Sequence, residues 1–377
     1  MKAVCISCFN YYDDRLRHVE QHLQNKGYEV LYITSDYDHI DKIRYSIDRP
    51  NAIQIKVMAY SKNLSIQRLY SHYLFAKSTL KELNRIKPDL LYVMLPPNFL
   101  AKYISQYKGQ NDVKVVYDLY DLWPETFPST KAKLLLSLPF KLWGKLRDDN
   151  LDSADVIVTE CELYQDKLDY ILHGANKEVL YLTKEKSRIL STPSTDTNII
   201  NVSYLGSINS IIDISLIVKM LAEINKIKPV YLHIIGDGEN REQLIREAES
   251  FGVRVQYHGR IYNEEEKRAI FDLCLFGINI MKDSVCVGLT MKSIDYFQAS
   301  LPILNNIQAD TAYLVDEHSI GFNVTKDNIK EVAVKVAAIS KSDIQLMRQN
   351  TKTVFENFFS HEAFNKKLEK VFHKISN

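Results

Sequence analysis

Glycine is scarce in this chain. It numbers 12 residues, where ordinary usage of about 7% predicts roughly 26. The shortage excludes collagen-like repeats, glycine-rich linkers and folds dominated by glycine loops. It also gives weight to each glycine that remains, because positions needing positive φ or close approach to a ligand have few other choices. Cysteine is sparse too, five scattered residues, which fits a reducing compartment and not a disulfide framework. No apolar run approaches the roughly 18 residues of a membrane span. The apolar start, Met1-Lys2-Ala3-Val4-Cys5-Ile6-Ser7-Cys8, is too short for a signal peptide. Excess charge of one sign is also missing: 48 basic residues face 47 acidic ones, so no global field holds nucleic acid. The expectation is a cytoplasmic protein without a nucleic-acid partner.

What is present is ordinary in bulk. The 377 residues, 46% hydrophobic and 25% charged, are enough for two soluble domains. Hydrophobic patterning predicts strands over 2–7, 28–34, 52–57, 90–94, 113–117 and 155–159, separated by helices over 13–26, 64–86, 98–106 and 131–151. The segment 183–198, rich in Ser and Thr with two Lys, reads as a linker. Beyond it the alternation restarts, with strands over 199–205, 230–235, 254–257, 275–281, 302–305 and 321–324. Helices are predicted over 213–227, 241–251, 264–272, 291–299 and 326–339, followed by a helical tail from 342. Strand–helix alternation means parallel sheets. The fold expected is α/β, two Rossmann-like doubly wound domains over 1–182 and 199–355 facing a central cleft. A terminal helix over 356–377 is expected to pack back on the first domain.

The scarce glycines collect at strand ends of the second half: Gly206 after Tyr204-Leu205, Gly236 and Gly238 after Ile234-Ile235, Gly259 after Tyr257-His258, and Gly288 ahead of a helix. None forms a dinucleotide or P-loop fingerprint. The densest group is Gly288-Leu289-Thr290-Met291-Lys292-Ser293-Ile294-Asp295-Tyr296. A helix start there would present free N–H groups and the positive dipole end to phosphate oxygens, with Lys292 adding a point charge. Asp295, three residues on, could accept hydrogen bonds from a ribose diol or pair with Lys292 on the surface.

In order and spacing, Tyr204-Leu205-Gly206-Ser207, Ile234-Ile235-Gly236-Asp237-Gly238, Tyr257-His258-Gly259-Arg260 and Gly288…Lys292…Asp295-Tyr296…Ser300-Leu301-Pro302-Ile303 resemble the donor half of a GT-B, family 4-type retaining glycosyltransferase. Asp118-Leu119-Tyr120-Asp121-Leu122-Trp123-Pro124-Glu125 resembles the family's segment facing the donor sugar. Three departures stand out. Val287 occupies the place of the first of two family glutamates. Ser207-Ile208-Asn209-Ser210 lacks the family's basic pair. Cys8-Phe9-Asn10-Tyr11-Tyr12 replaces its Gly-Gly loop.

The resemblance implies sugar transfer from a nucleotide-sugar, a UDP-sugar by preference, with retention. The acceptor would be lipid-linked or an oligosaccharide, in surface polysaccharide synthesis. Lys292 and the N–H groups near Leu289 and Thr290 would stabilise the leaving diphosphate, and Asp121 would be the active-site carboxylate. The base would rest near Gly259, Arg260 and Ile261, and the ribose on Asp295. Gly206, Ser207, Gly236, Asp237, Gly238 and Gly288 would border the nucleotide. No cofactor and no metal are implied, the nucleotide-sugar being a substrate. A UDP-sugar 2-epimerase shares this architecture, and a degenerate transferase acting as a partner subunit is the third reading.

Cys5-x-x-Cys8 reads as strand-end packing, since i and i+3 on a strand face opposite ways. His18 and His22 sit at i, i+4 but lack a third ligand. Residues 131–147 carry five basic and no acidic residues around Trp143, and 51–81 is also free of acids. Both predict contact of the first half with the inner membrane leaflet.

Overall fold

The computed structural model describes residues 1–127, 137–189 and 191–376. The chain forms two compact units, one of Met1–Tyr181 with Phe364–Asn377, the other of Leu182–Ala363.

The first unit carries a seven-stranded parallel sheet in the order β3-β2-β1-β4-β5-β6-β7. Its strands are β1 Lys2–Ile6, β2 Glu29–Ser35, β3 Ala52–Ile55, β4 Leu90–Leu95, β5 Lys114–Leu119, β6 Val156–Thr159 and β7 Lys177–Val179. The order reverses between β1 and β4, the doubly wound arrangement. Leu-Leu-Tyr-Val-Met-Leu of β4 is wholly buried, as a strand covered on both faces must be. The helices are α1 Asp13–Asn25, α2 Ile66–Ile86, α3 Asn98–Lys108, α4 Ser137–Asp148, α5 Glu162–Lys167 and α6 Asp169–Leu172. Gly27, at φ +85°, follows α1. The sequence reading missed β7, α5 and α6, which are too short to show a period. The predicted helix over 131–151 is observed from Ser137; its start, with Lys131 and Lys133, lies outside the described residues.

The second unit has a six-stranded parallel sheet, β10-β9-β8-β11-β12-β13. Here β8 is Ile200–Leu205, β9 Val230–Ile235, β10 Arg254–Gly259, β11 Phe276–Asn279, β12 Ile303–Asn305 and β13 Gly321–Asn323. The reversal lies between β8 and β11. The helices are α7 Ile214–Asn225, α8 Arg241–Ser250, α9 Glu264–Leu273, α10 Met291–Gln298, α11 Asp310–His318, α12 Ile329–Ala338 and α13 Lys341–Val354. A capping box of Ser340 and Asp343 starts α13. The sequence reading missed α11.

Two boundaries differ from the sequence reading. The segment 183–198 belongs to the second unit: the Thr183 hydroxyl and the Lys184 N–H both donate to the Phe359 carbonyl, at 2.9 Å each. The helical tail is not continuous. A π-turn, Phe355–Phe359, buries Phe355 and Phe359, and extended Ser360 then accepts the Ala363 N–H on its hydroxyl at 3.1 Å. The final helix α14, His361–Ser376, starts there. Its Phe364, Leu368, Val371 and Ile375, spaced as one helical stripe, are buried in the first unit's core. That unit therefore takes up the chain from 364, later than the 356 expected. Among the described residues no helix is long and apolar enough to cross a membrane.

Candidate active site

In the second unit the reversal point brings the end of β8 beside the loop that leaves β11 and enters α10, the place where doubly wound sheets bind ligands. Gly206 closes β8 at φ +112° and Gly236 closes β9 at φ +135°. A Cβ on Gly236 would sit 2.0 Å from the Gly206 carbonyl oxygen, so only glycine fits. The strand ends are laced together: the Gly206 N–H donates to Ile235 O (2.9 Å), Ile208 N–H to Asp237 O (2.9 Å) and Gly236 N–H to Gly259 O (2.7 Å). These N–H groups are spent on the protein; what the glycines provide is room.

Lys292 fills part of that room. It lies in the first turn of α10, its Cε 4.0 Å from where a Gly206 Cβ would be and its Nζ 4.7 Å from the centroid of the Tyr204 ring. The ammonium is buried and makes no hydrogen bond among the described residues, and burial pushes its pKa down to about 8. A desolvated cation at a helix N-terminus, without an acceptor, is arranged to meet an anion.

The helix that carries Lys292 is pinned from below. Thr290 caps it, accepting the Ser293 N–H at 3.2 Å, and donates its own hydroxyl to Asn279 Oδ1 at 2.8 Å. Asn279 continues into a ladder across three strands: its amide donates to Asn305 (2.9 Å), whose amide donates to Asn323 (2.8 Å). The register pairs Asn279 with Asn305 and Asn305 with Asn323. Gly288 is buried two residues before the cap, its carbonyl taken by Thr311 N–H (3.0 Å) and Oγ1 (2.6 Å). Leu289 packs in the interior.

Asp295 sits elsewhere than the spacing suggested. It does not pair with Lys292; its Oδ1 meets the ammonium groups of Lys184 and Lys267, the latter at 3.4 Å. Asp237 accepts the Gly238 N–H (2.8 Å) and Arg241 (3.2 Å), with Arg260 at 3.6 Å. Ser207 is exposed, and Arg260, largely exposed, leads into half-buried Ile261.

In the first unit, register brings two carboxyl groups to neighbouring strand ends. Leu119 of β5 pairs with Thr159 of β6, so Tyr120-Asp121 and Glu160 leave the sheet side by side, and the Glu160 N–H donates to Leu119 O at 3.2 Å. Burial raises the pKa of Asp121, against a hydrogen bond from Thr126 Oγ1 at 2.5 Å. Burial pushes Glu160 up to about 8; Arg15 opposes this, and the charges of Asp121 and Asp118 add to it. Glu160 was not singled out from sequence, although a carboxylate directly after a buried strand obeys the rule that found the glycines. Asp118 serves the interior instead. Fully buried, it takes a bidentate pair from Arg15 (2.7 and 3.0 Å) and the Tyr92 hydroxyl (2.6 Å). Tyr11, Tyr12 and Tyr120 pack beside them as tilted rings, with successive ring centroids 4.0 Å apart. Cys5 and Cys8 are buried free thiols.

The basic stretch 131–147 divides. Arg147 is buried on Glu125 (2.8 Å) and Trp143 packs against Trp123 and Phe127, leaving Leu138, Lys141, Leu142 and Lys145 outward on α4. In 51–81, Arg68 is also buried, its guanidinium 4.2 Å over Trp123. Ile66, 82% exposed, and Leu69, Tyr70 and Lys62 line the outer start of α2.

No family model and no curated protein matches the sequence. Solved structures do. The chain is similar to sucrose-phosphate synthase of Thermosynechococcus elongatus at 13% identity, over 100% of this chain and 99% of that one, with a TM-score of 0.68. It is similar to Anabaena HepE in complex with UDP and glucose at 14% identity, over 99% of each chain, with a TM-score of 0.65. The lipopolysaccharide outer core galactosyltransferase WaaB matches at 13% identity, over 99% of each chain, with a TM-score of 0.67. In fold, this chain is built as the GT-B glycosyltransferases are, from two Rossmann-like doubly wound α/β units.

Proposed function

We propose that the chain is a glycosyltransferase that moves a sugar from a UDP-sugar to a lipid-linked or oligosaccharide acceptor in surface polysaccharide synthesis, with retention of configuration. The observation that carries this reading is the buried Lys292 ammonium, left without a hydrogen-bond partner among the described residues beside Gly206 at the reversal point. The diphosphate would sit against it and the first turn of α10. In the reaction the bond from the anomeric carbon to the β-phosphate oxygen breaks, and its electron pair leaves with the nucleoside diphosphate. The acceptor oxygen bonds to that carbon and its proton passes to the departing phosphate. Lys292 stabilises the charge that develops on that phosphate. Asp121 and Glu160 would bind sugar or acceptor hydroxyls, and Tyr11 beside them, 41% exposed, offers a face for a sugar ring. The HepE complex with UDP and glucose supports UDP as the carrier. Val287 leaves one sugar contact of the resembled family without its acid.

The first unit would meet an anionic bilayer through the exposed Ile66, Leu69 and Tyr70 with Lys62, and through Leu138, Lys141 and Leu142. This would give access to a lipid-linked acceptor from the cytoplasmic side.

Calorimetric titration with UDP, GDP and their sugars tests the donor. Binding of UDP and UDP-sugars is expected, with hydrolysis of the donor in the absence of acceptor slow. Failure of every nucleotide to bind would end the reading, and an epimerised sugar formed without acceptor would replace it by a 2-epimerase.

A further inference from the structure

The second unit holds a cavity of about 590 Å³ away from Lys292, within the range of roughly 300–1,000 Å³ typical of small-molecule sites. It lies toward the amino ends of β11 and β12. Arg348 of α13 lines it and reaches the carbonyls of Ser300, after α10, and Cys274, ahead of β11, whereas Gly206 and Lys292 lie at the carboxyl ends of the strands. Lys186, Thr192 and Thr195 stand on one wall, and the backbone to either side of them is fastened by Ser194 N–H to Asp272 O (2.7 Å) and by Gln298 Nε2 to Glu185 O (2.6 Å).

Its chemistry is cationic and hydroxylated. Arg348 is 6% exposed, and its guanidinium meets two carbonyl oxygens, Ser300 at 3.3 Å and Cys274, while its Nε has no partner among the described residues. The neighbouring carboxylate, Asp272, accepts the Arg268 Nε–H on its Oδ1 at 2.9 Å. A guanidinium nine-tenths buried and lacking a carboxylate in contact is an unmet demand for negative charge. Lys352, Arg268 and Lys186 add three more cations to the lining, against one acid, Glu356, and Lys186 is held by Glu362 at 2.6 Å. Between these charges the lining offers hydroxyls such as Thr192 and the amides of Gln345 and Gln349. Hydroxyls and amides both donate and accept, the pattern that recognises a polyol.

We propose that this cavity is a second ligand site, separate from the nucleotide, that takes a phosphorylated sugar. The phosphate lies on Arg348 and Lys352, and the sugar hydroxyls lie on Thr192, Gln345 and Gln349. Two charge-assisted contacts to one phosphate give affinity, and the amides give preference for a sugar over a bare anion.

Calorimetry on the full chain, with glucose 6-phosphate, glucose and inorganic phosphate as probes, tests this. Glucose 6-phosphate is expected to bind saturably in the presence of saturating UDP, more tightly than inorganic phosphate, and glucose alone is expected not to bind. Lys352→Glu, a surface change, should weaken glucose 6-phosphate at least about tenfold and leave UDP affinity unchanged; Arg348→Gln should abolish it if the variant folds. The proposal is overturned if glucose 6-phosphate does not bind, if UDP displaces it, if inorganic phosphate binds equally well, or if Lys352→Glu changes nothing. Failure of UDP alone to bind would count against the donor site only.

Discussion

Lys292 Nζ lies 4.7 Å from the centroid of the Tyr204 ring, so the first turn of α10 and the last stretch of backbone in β8 meet through a cation and an aromatic face. Burial leaves this ammonium with a pKa of about 8, and a bound diphosphate would raise it again. UDP binding is therefore expected to take up protons near pH 8, and UDP affinity should fall as pH rises through that value. Calorimetry in buffers of different ionisation enthalpy measures the uptake; none at pH 8 would remove Lys292 from the phosphate site. Lys292→Ala should lower turnover at least ~10²-fold.

Glu160 carries a second pH signature. Burial favours its neutral form, so the folded protein keeps a proton up to about pH 8 that the unfolded chain releases near the ordinary glutamate value. Between those two values the folded state binds more protons, and this group makes stability fall as pH rises. Glu160→Gln should flatten that fall in Tm between pH 5 and pH 8. An unchanged slope would mean that Glu160 is ionised in the folded protein.

Gly236→Ala should be severely destabilising. The new methyl would land 2.0 Å from the Gly206 carbonyl oxygen, at a φ of +135° that side chains avoid. A loss of at least about 3 kcal/mol in denaturant unfolding is expected from strain and displacement together.

At the start of α2, Ile66→Glu with Leu69→Glu tests the membrane surface. Both side chains are exposed, so the fold should be kept and Tm changed little. Flotation with anionic liposomes should fall at least about tenfold, since burying one such side chain contributes about 1.5–3 kcal/mol. Equal flotation of the variant and the parent would place the contact elsewhere.

The parts of this protein that were legible in sequence are local. Strand–helix alternation gave both sheets, and the position of Gly206 and Gly236 after apolar runs marked the strand ends. Lys292 stood out because it follows Gly288 in the first turn of a predicted helix, where free N–H groups and a point charge together suit a phosphate. What stayed hidden depends on partners far along the chain. Asp295 meets Lys184, 111 residues away, and Asp118 meets Arg15, 103 away; neither spacing has a local signature. The i, i+3 relation of Lys292 and Asp295 was real geometry but not a contact, because each side chain found a different neighbour. Short elements such as β7 and α6 escaped for another reason: three or four residues cannot display a period.

The final helix has a consequence for how the protein is made. Leu368 and Val371 complete an interior whose other members come from the first half of the chain. On the ribosome that interior must wait for them, while residues 182–363 emerge as one uninterrupted stretch. The first unit is therefore completed only after the second has emerged, and a fragment 1–181 would present an open apolar seam in place of α14.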